Sequence, residues 1–232
     1  MMRSFACFVL LAALGAGTAA AQPISSAETL LFETDHLARL KPPATLVYAF
    51  RKDSNVDHGF TDKVRLDLAG AKGKLSATLH FLSGEHKQEI PAMEEAHGNP
   101  VLLGFLEHDI AEMKRLTCGS TSYFRKRIRM ALAQGAELSR QPIIWQGKTL
   151  QAQAIRIQPY LHDPMHARFE NYLHKTYTFV YSDQVPGGLY QLQTSLGRPG
   201  AVRTAAPAAG GTGATPAIDE TLTLISVTPG QP

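Results

Sequence analysis

The sequence predicts an α+β fold: a curved, largely antiparallel sheet of about eight strands, forming an incomplete barrel, capped by a central helical hairpin and an N-terminal helix. Three observations carry this. From residue 45 onward, three segments alternate apolar and polar residues with a period of two, the mark of a sheet covered on one face only. From Asn99 to Gln134 the period becomes helical, with start and stop residues in place. Beyond that stretch, five segments return to strand composition, rich in Thr, Tyr, Ile and Val.

The chain opens MMRSFACFVLLAALGAGTAAAQP, one arginine followed by a short apolar run and small residues ending at Ala21. This pattern predicts a secretory signal peptide over residues 1–21. The run is too short to span a bilayer, and no later segment reaches the ~20 apolar residues a membrane helix needs. Cys7 follows no apolar run of the kind a lipid-attachment site requires. Removing 21 of the 232 residues leaves 211, and the loss of Arg3 lowers the formal charge from +3 to +2. That size suits a single domain over 22–228, and the near-neutral charge argues against nucleic acid as a partner. No Asn-X-Ser/Thr sequon occurs, which together with the leader points to a periplasmic location. Cys118 is the one cysteine left after processing, so no internal disulfide can form.

After the leader, Ser25 and Glu28 have the spacing of a capping box, and Pro42 and Pro43 stop the helix they begin. The first alternating segment carries Leu46, Tyr48 and Phe50 on one face, the second Val64, Leu66 and Leu68, and the third Leu75, Ala77, Leu79 and Phe81. The later strands are PIIWQ, TLQAQAIRIQPY, KTYTFVYSD, LYQLQTSL and TLTLISVT, with Pro186, Gly187 and Gly188 turning the chain between two of them. RPGAVRTAAPAAGGTGATPA, at 198–217, has almost no core-forming side chains and reads as a disordered loop.

This order of elements, with its strand, VPGG turn and strand near the end, resembles the periplasmic lipoprotein carriers of the LolA/LolB type from Thr45 to Thr228. The resemblance implies an incomplete barrel closed by helices over an apolar hollow. It rests on element order, and no functional residue of that family is carried over.

In the helical stretch, Asn99 is a good N-cap and Pro100 a good first residue. Leu102, Phe105, Leu106, Ile110, Met113 and Leu116 share one face, Gly119 breaks the helix, and Phe124, Ile128, Ala131 and Leu132 share a face of the next. Asp109 falls inside the first apolar stripe, where a carboxylate needs a partner. Arg127, the nearest basic candidate in sequence, is expected to supply it, either as a hairpin tie or as a polar pair at the mouth of a ligand hollow. Cys118 reads as a small buried thiol. Arg125, Lys126, Arg127 and Arg129 form a cationic cluster suited to a solvated face or to an anionic partner. His162, His166, Glu170 and His174 recur every four residues, a spacing that would present zinc ligands on a continuous helix. Asp163 and Pro164 interrupt the stretch, so exposed loop histidines are the plainer reading.

No nucleophile elbow, phosphate loop, dinucleotide fingerprint or HExxH is present, and no cofactor is implied. The sequence therefore predicts a non-enzymatic binding or carrier protein for a lipid or other apolar small molecule. The expected wall comprises Tyr48, Phe50, Leu79, Phe81, Phe105, Met113, Trp145, Tyr177 and Phe179. Two alternatives stand beside it: an envelope protein that binds a protein partner and has a packed core, and a metal-dependent hydrolase using the 162–174 loop.

Overall fold

The computed structural model describes residues 23–71, 74–197 and 217–229. The expected leader, and all of the Ala/Pro/Gly-rich stretch except Ala217, lie outside the described residues. Eight strands form one open sheet: β1 Ala44–Ser54, β2 Phe60–Ala71, β3 Lys74–Phe81, β4 Glu137–Trp145, β5 Lys148–Ile157, β6 Thr176–Tyr181, β7 Leu189–Leu196 and β8 Ile218–Pro229. Their spatial order is β3-β2-β1-β8-β7-β6-β5-β4, every neighbouring pair is antiparallel, and the sheet does not close into a barrel. Each segment read as a strand from its alternation or composition is one.

Cross-strand register sorts the side chains by face. One apolar row crosses the sheet through Phe50, Leu222, Leu192, Phe179 and Ile155. On the other side of β1, Tyr48 pairs with Val64 and Leu46 with Leu66, which continue to Phe81 and Leu79. All of these are buried.

Helix α1, Ser26–Glu28, begins with the expected capping box, Ser25 Oγ accepting from Glu28 N and Glu28 Oε2 from Ser25 N. It continues into a wider turn over Thr29–Glu33, and Ser25 Oγ donates to Leu132 O at 3.0 Å, tying it to α3. Helix α2, Pro100–Thr117, is capped by Asn99, whose side chain accepts from Val101 N. Helix α3, Thr121–Gln134, is capped by Ser120. The hairpin lies over the core face, α2 against β2, β3 and β7 and α3 against β5. Cys118 does not bury its thiol as expected: it is exposed, because it occupies the left-handed C-cap of α2 with φ 54°.

The two sheet edges are treated differently. Beside β3 the 83–99 segment pairs locally, Ala77 with Met93 and Phe81 with Gln88. The β4 edge instead carries Pro142 and charged residues, which discourage pairing with another chain.

Helix α2 lies against the sheet closely at Gly104, where a Cβ would lie 2.8 Å from both Leu79 Cδ2 and Phe81 Cδ2. Gly104→Val is therefore expected to push α2 off the sheet and lower stability by about 1–3 kcal/mol, as overpacking does. Urea denaturation checks it, and an unchanged midpoint would mean that α2 does not dock as described.

Candidate functional site

Two features of the interior depart from plain packing. The first is a polar seam at one end of the core. Next to the Phe50 row, the register places Lys52 opposite Glu220, Glu220 opposite Thr194, and Thr194 opposite Tyr177. Above this row, α2 lowers His108, Asp109 and Glu112. Asp109 is 0% exposed, Glu220 1% and Lys175, just before β6, 2%.

Lys175 Nζ donates to Asp109 Oδ1, and Tyr177 Oη donates to Asp109 Oδ2 at 2.5 Å. Tyr177 Oη lies 3.1 Å from Tyr160 Oη. Lys52 Nζ donates to Glu112 at 2.9 Å and to Asp57 at 3.0 Å, and lies 3.7 Å from Glu220. Arg115 closes the outer end by pairing with Asp57 at 2.6 Å and Glu112 at 2.7 Å. His108 Nε2 is 3.6 Å from Glu220, and its Nδ1 is 2.9 Å from Gln88 Nε2.

Charge and burial set the protonation tendencies. Burial pushes the Asp109 pKa up, with Lys175 and Tyr177 pulling against it. Burial also pushes the Tyr160 and Tyr177 hydroxyls well above the phenol range. For Glu112, burial is outweighed by Arg115 and Lys52, which hold its pKa down to about 2. For Glu220, burial is outweighed by His108 and the two lysines, and its pKa falls.

The expected Asp109–Arg127 tie does not form. Asp109 is taken by Lys175, 66 residues away, because α2 lays it over the start of β6. Arg127 sits on the side of α3 that faces the 159–163 loop, where it pairs with Asp163 at 3.1 Å and donates to Pro159 O.

The second feature is a cleft of about 750 Å³ between the 34–40 strap, the middle of β5, the end of β6 and the 182–188 turn. Leu30, Leu40, Ala152, Val185 and Pro186 give it an apolar wall, with Tyr181 and His36 in its lining and Arg39 and Arg140 also lining it. The His36 ring packs on Tyr181 at a tilt of 36°, centroids 4.7 Å apart, and burial lowers its pKa. The turn is built for contact. Gly187 and Gly188 have φ of 74° and 70°, and a Cβ would meet Leu46 at 2.6 Å on the first and His36 at 2.8 Å on the second, so glycine is required at both. Asn99 Nδ2 donates to Gly187 O and to Tyr48 Oη, each at 2.9 Å, linking the turn, the start of α2 and β1.

A smaller cleft of about 490 Å³ lies between the end of α3 and the 156–162 segment, with Arg127, Arg156 and His162 among its lining. The other histidines of the four-residue pattern are spread over turns, with short 3₁₀ turns at His166–Arg168 and Glu170–Tyr172 in place of a helix. Among the described residues no three His, Cys, Asp or Glu side chains group as metal ligands.

The nine expected wall residues are all buried, between 0% and 8% exposed. Eight of them belong to the core face or to α2 above it. Trp145 does not join them, since its register runs with Gln141, Ala152, Ala154 and Val180 on the opposite face from Tyr177 and Phe179. None of the nine lines either cleft. Reading from sequence missed Lys52, Lys175, Glu220 and the strap. Lys52 and Glu220 carried a signal, because each falls in phase with the apolar face of its own strand.

No family model matches the chain, and no curated protein matches its sequence. One solved structure that superposes on it is the Mycobacterium tuberculosis lipoprotein LppX, at 10% identity over 78% of this chain and 84% of that one, with a TM-score of 0.30. A superposition of that quality carries no argument about this chain.

Two outcomes follow from the seam. Lys175→Met leaves a buried carboxylate without its cation and is expected to cost about 3–5 kcal/mol, most of it recovered when Asp109→Leu is added; chemical denaturation of both variants measures this. Glu112 has a folded pKa of about 2 against an ordinary 4.5. Its contribution is therefore complete above about pH 4.5 and lost as pH falls toward 2. Glu112→Gln should flatten the acid limb of the stability–pH curve, and an unchanged limb would show that the ion pairs do not bear on folding.

Proposed function

We propose that the protein is an exported, non-enzymatic binding or carrier protein whose ligand is a lipid, an acyl chain or another apolar group. The observation that supports it is the 750 Å³ cleft between strap and turn. Its volume falls within the range of small-molecule sites, and its apolar wall with a few polar groups is their usual chemistry. In this reading the ligand site lies beside the lid, and the expected wall is the packed layer behind it. Arg140, exposed in the lining, offers a cation to a polar head group. A leader over 1–21, a single domain over 22–228 and a periplasmic location belong to the same proposal.

A second reading is favoured by one finding, the close packing of all nine wall residues: an envelope protein that binds a protein partner and holds no ligand.

Fluorescence titration with a dansylated fatty acid separates the two. The cleft reading expects saturable binding that weakens about tenfold, roughly 1.4 kcal/mol, in Gln153→Trp, where an indole is placed on the cleft's lining. Binding by the variant equal to the parent protein would move the site elsewhere. No binding by either would leave the packed-interior reading.

A further inference from the structure

The solvent face of α3 carries more positive charge than the fold pairs. Arg125, Lys126 and Arg129 are all exposed, and the helix Thr121–Gln134 contains no acidic residue. Arg125 and Arg129 stand four apart and Lys126 and Arg129 three apart, so they repel along one face. Arg125 and Lys126 also lie in the first half of the helix, nearer the end where the backbone dipole is positive and cations are disfavoured. Arg125 is bridged to Glu107 of α2, its Nε 2.7 Å from Oε1. Lys126 and Arg129 form no ion pair among the described residues.

The outer face of α2 continues the surface. Leu103, Glu107, Ala111 and Lys114 are exposed there, and Leu103 is 51% exposed. Across the two helices this gives four cations, one carboxylate and an apolar side chain, on the side of the lid turned away from the sheet.

We propose that this outer face of the α2–α3 hairpin docks the protein on an anionic phospholipid bilayer. The occupant follows from the chemistry. The cations sit on long stems along a two-helix face, outside both clefts, except that Arg127 beside them lines the smaller one. That arrangement suits a continuous sheet of negative head groups better than a single enclosed ion, and Leu103 supplies an apolar contact that a purely ionic partner would not use. The near-neutral charge of the whole chain makes the patch a local device, not a general excess of cations. The inference goes beyond the ligand reading and does not depend on the cleft being filled.

Co-sedimentation with vesicles tests it, using the full processed protein without added ligand. Vesicles of equal phosphatidylglycerol and phosphatidylcholine should bind the protein at low salt at least tenfold better than phosphatidylcholine alone, and ~0.5 M salt should abolish the difference. The double variant Lys126→Glu/Arg129→Glu should lose binding by about thirtyfold or more, with an unchanged unfolding midpoint showing that the lid is intact. Ala133→Glu, on the same exposed face, should weaken binding to a smaller degree. Equal binding to both vesicle types, no binding at all, or full binding by the double variant would overturn the proposal.

Discussion

The structure depends on one buried ion pair. Asp109 sits on the apolar face of α2 with no exposure, and its burial is sustainable only because Lys175 and Tyr177 meet both of its oxygens. Such a pair adds little net stability over a hydrocarbon contact, but it is unforgiving of displacement, since either charge left alone in the interior is costly. The pair therefore favours the observed position of α2 along the sheet, with Gly104 against Leu79 and Phe81 and His108 and Glu112 over the Lys52–Glu220 row. The seam grades from dry to wet along α2, from Asp109 inside to Arg115 at the surface.

With the lid pinned, its other end is fixed too. Asn99 caps α2 and at the same time holds the Gly187 carbonyl and the Tyr48 hydroxyl, so the 182–188 turn is part of the lid's anchorage. The strap rests on that turn through His36, whose ring fills the space a side chain at Gly188 would need. The cleft is what remains between that turn and a strap anchored in the core by the buried Leu37 and His36, with Arg39 donating to Asp183 O at 2.8 Å and Leu37 N to His97 O at 3.4 Å.

Much of the fold was legible because one-sided burial writes itself into sequence as alternation: Leu46, Tyr48 and Phe50 announce β1, and Asn99–Pro100 announces α2. The strand order was less legible. That β8 returns to pair between β1 and β7 is set by packing of distant segments on a shared core, which no local pattern records. Asp109 was recognisable as an anomaly, but its partner was not. Proximity in sequence favoured Arg127, whereas the three-dimensional partners are Lys175 and Tyr177, which reach Asp109 from the start of β6. Cys118 was misread because burial statistics for cysteine say nothing about a left-handed cap. The cleft was invisible for a related reason: the strap mixes charged, apolar and small residues without period, and its role comes from what lies across from it.

In the proposed carrier role, an apolar ligand occupies the cleft between strap and turn while the lid stays docked. Hydrogen–deuterium exchange with and without the dansylated fatty acid addresses it most directly, since amides report opening segment by segment. Added protection is expected over residues 34–40 and 182–188, with Pro100–Thr117 unchanged. Protection concentrated in α2 and the strands beneath it, with the strap unaffected, would contradict it and place the ligand under the lid.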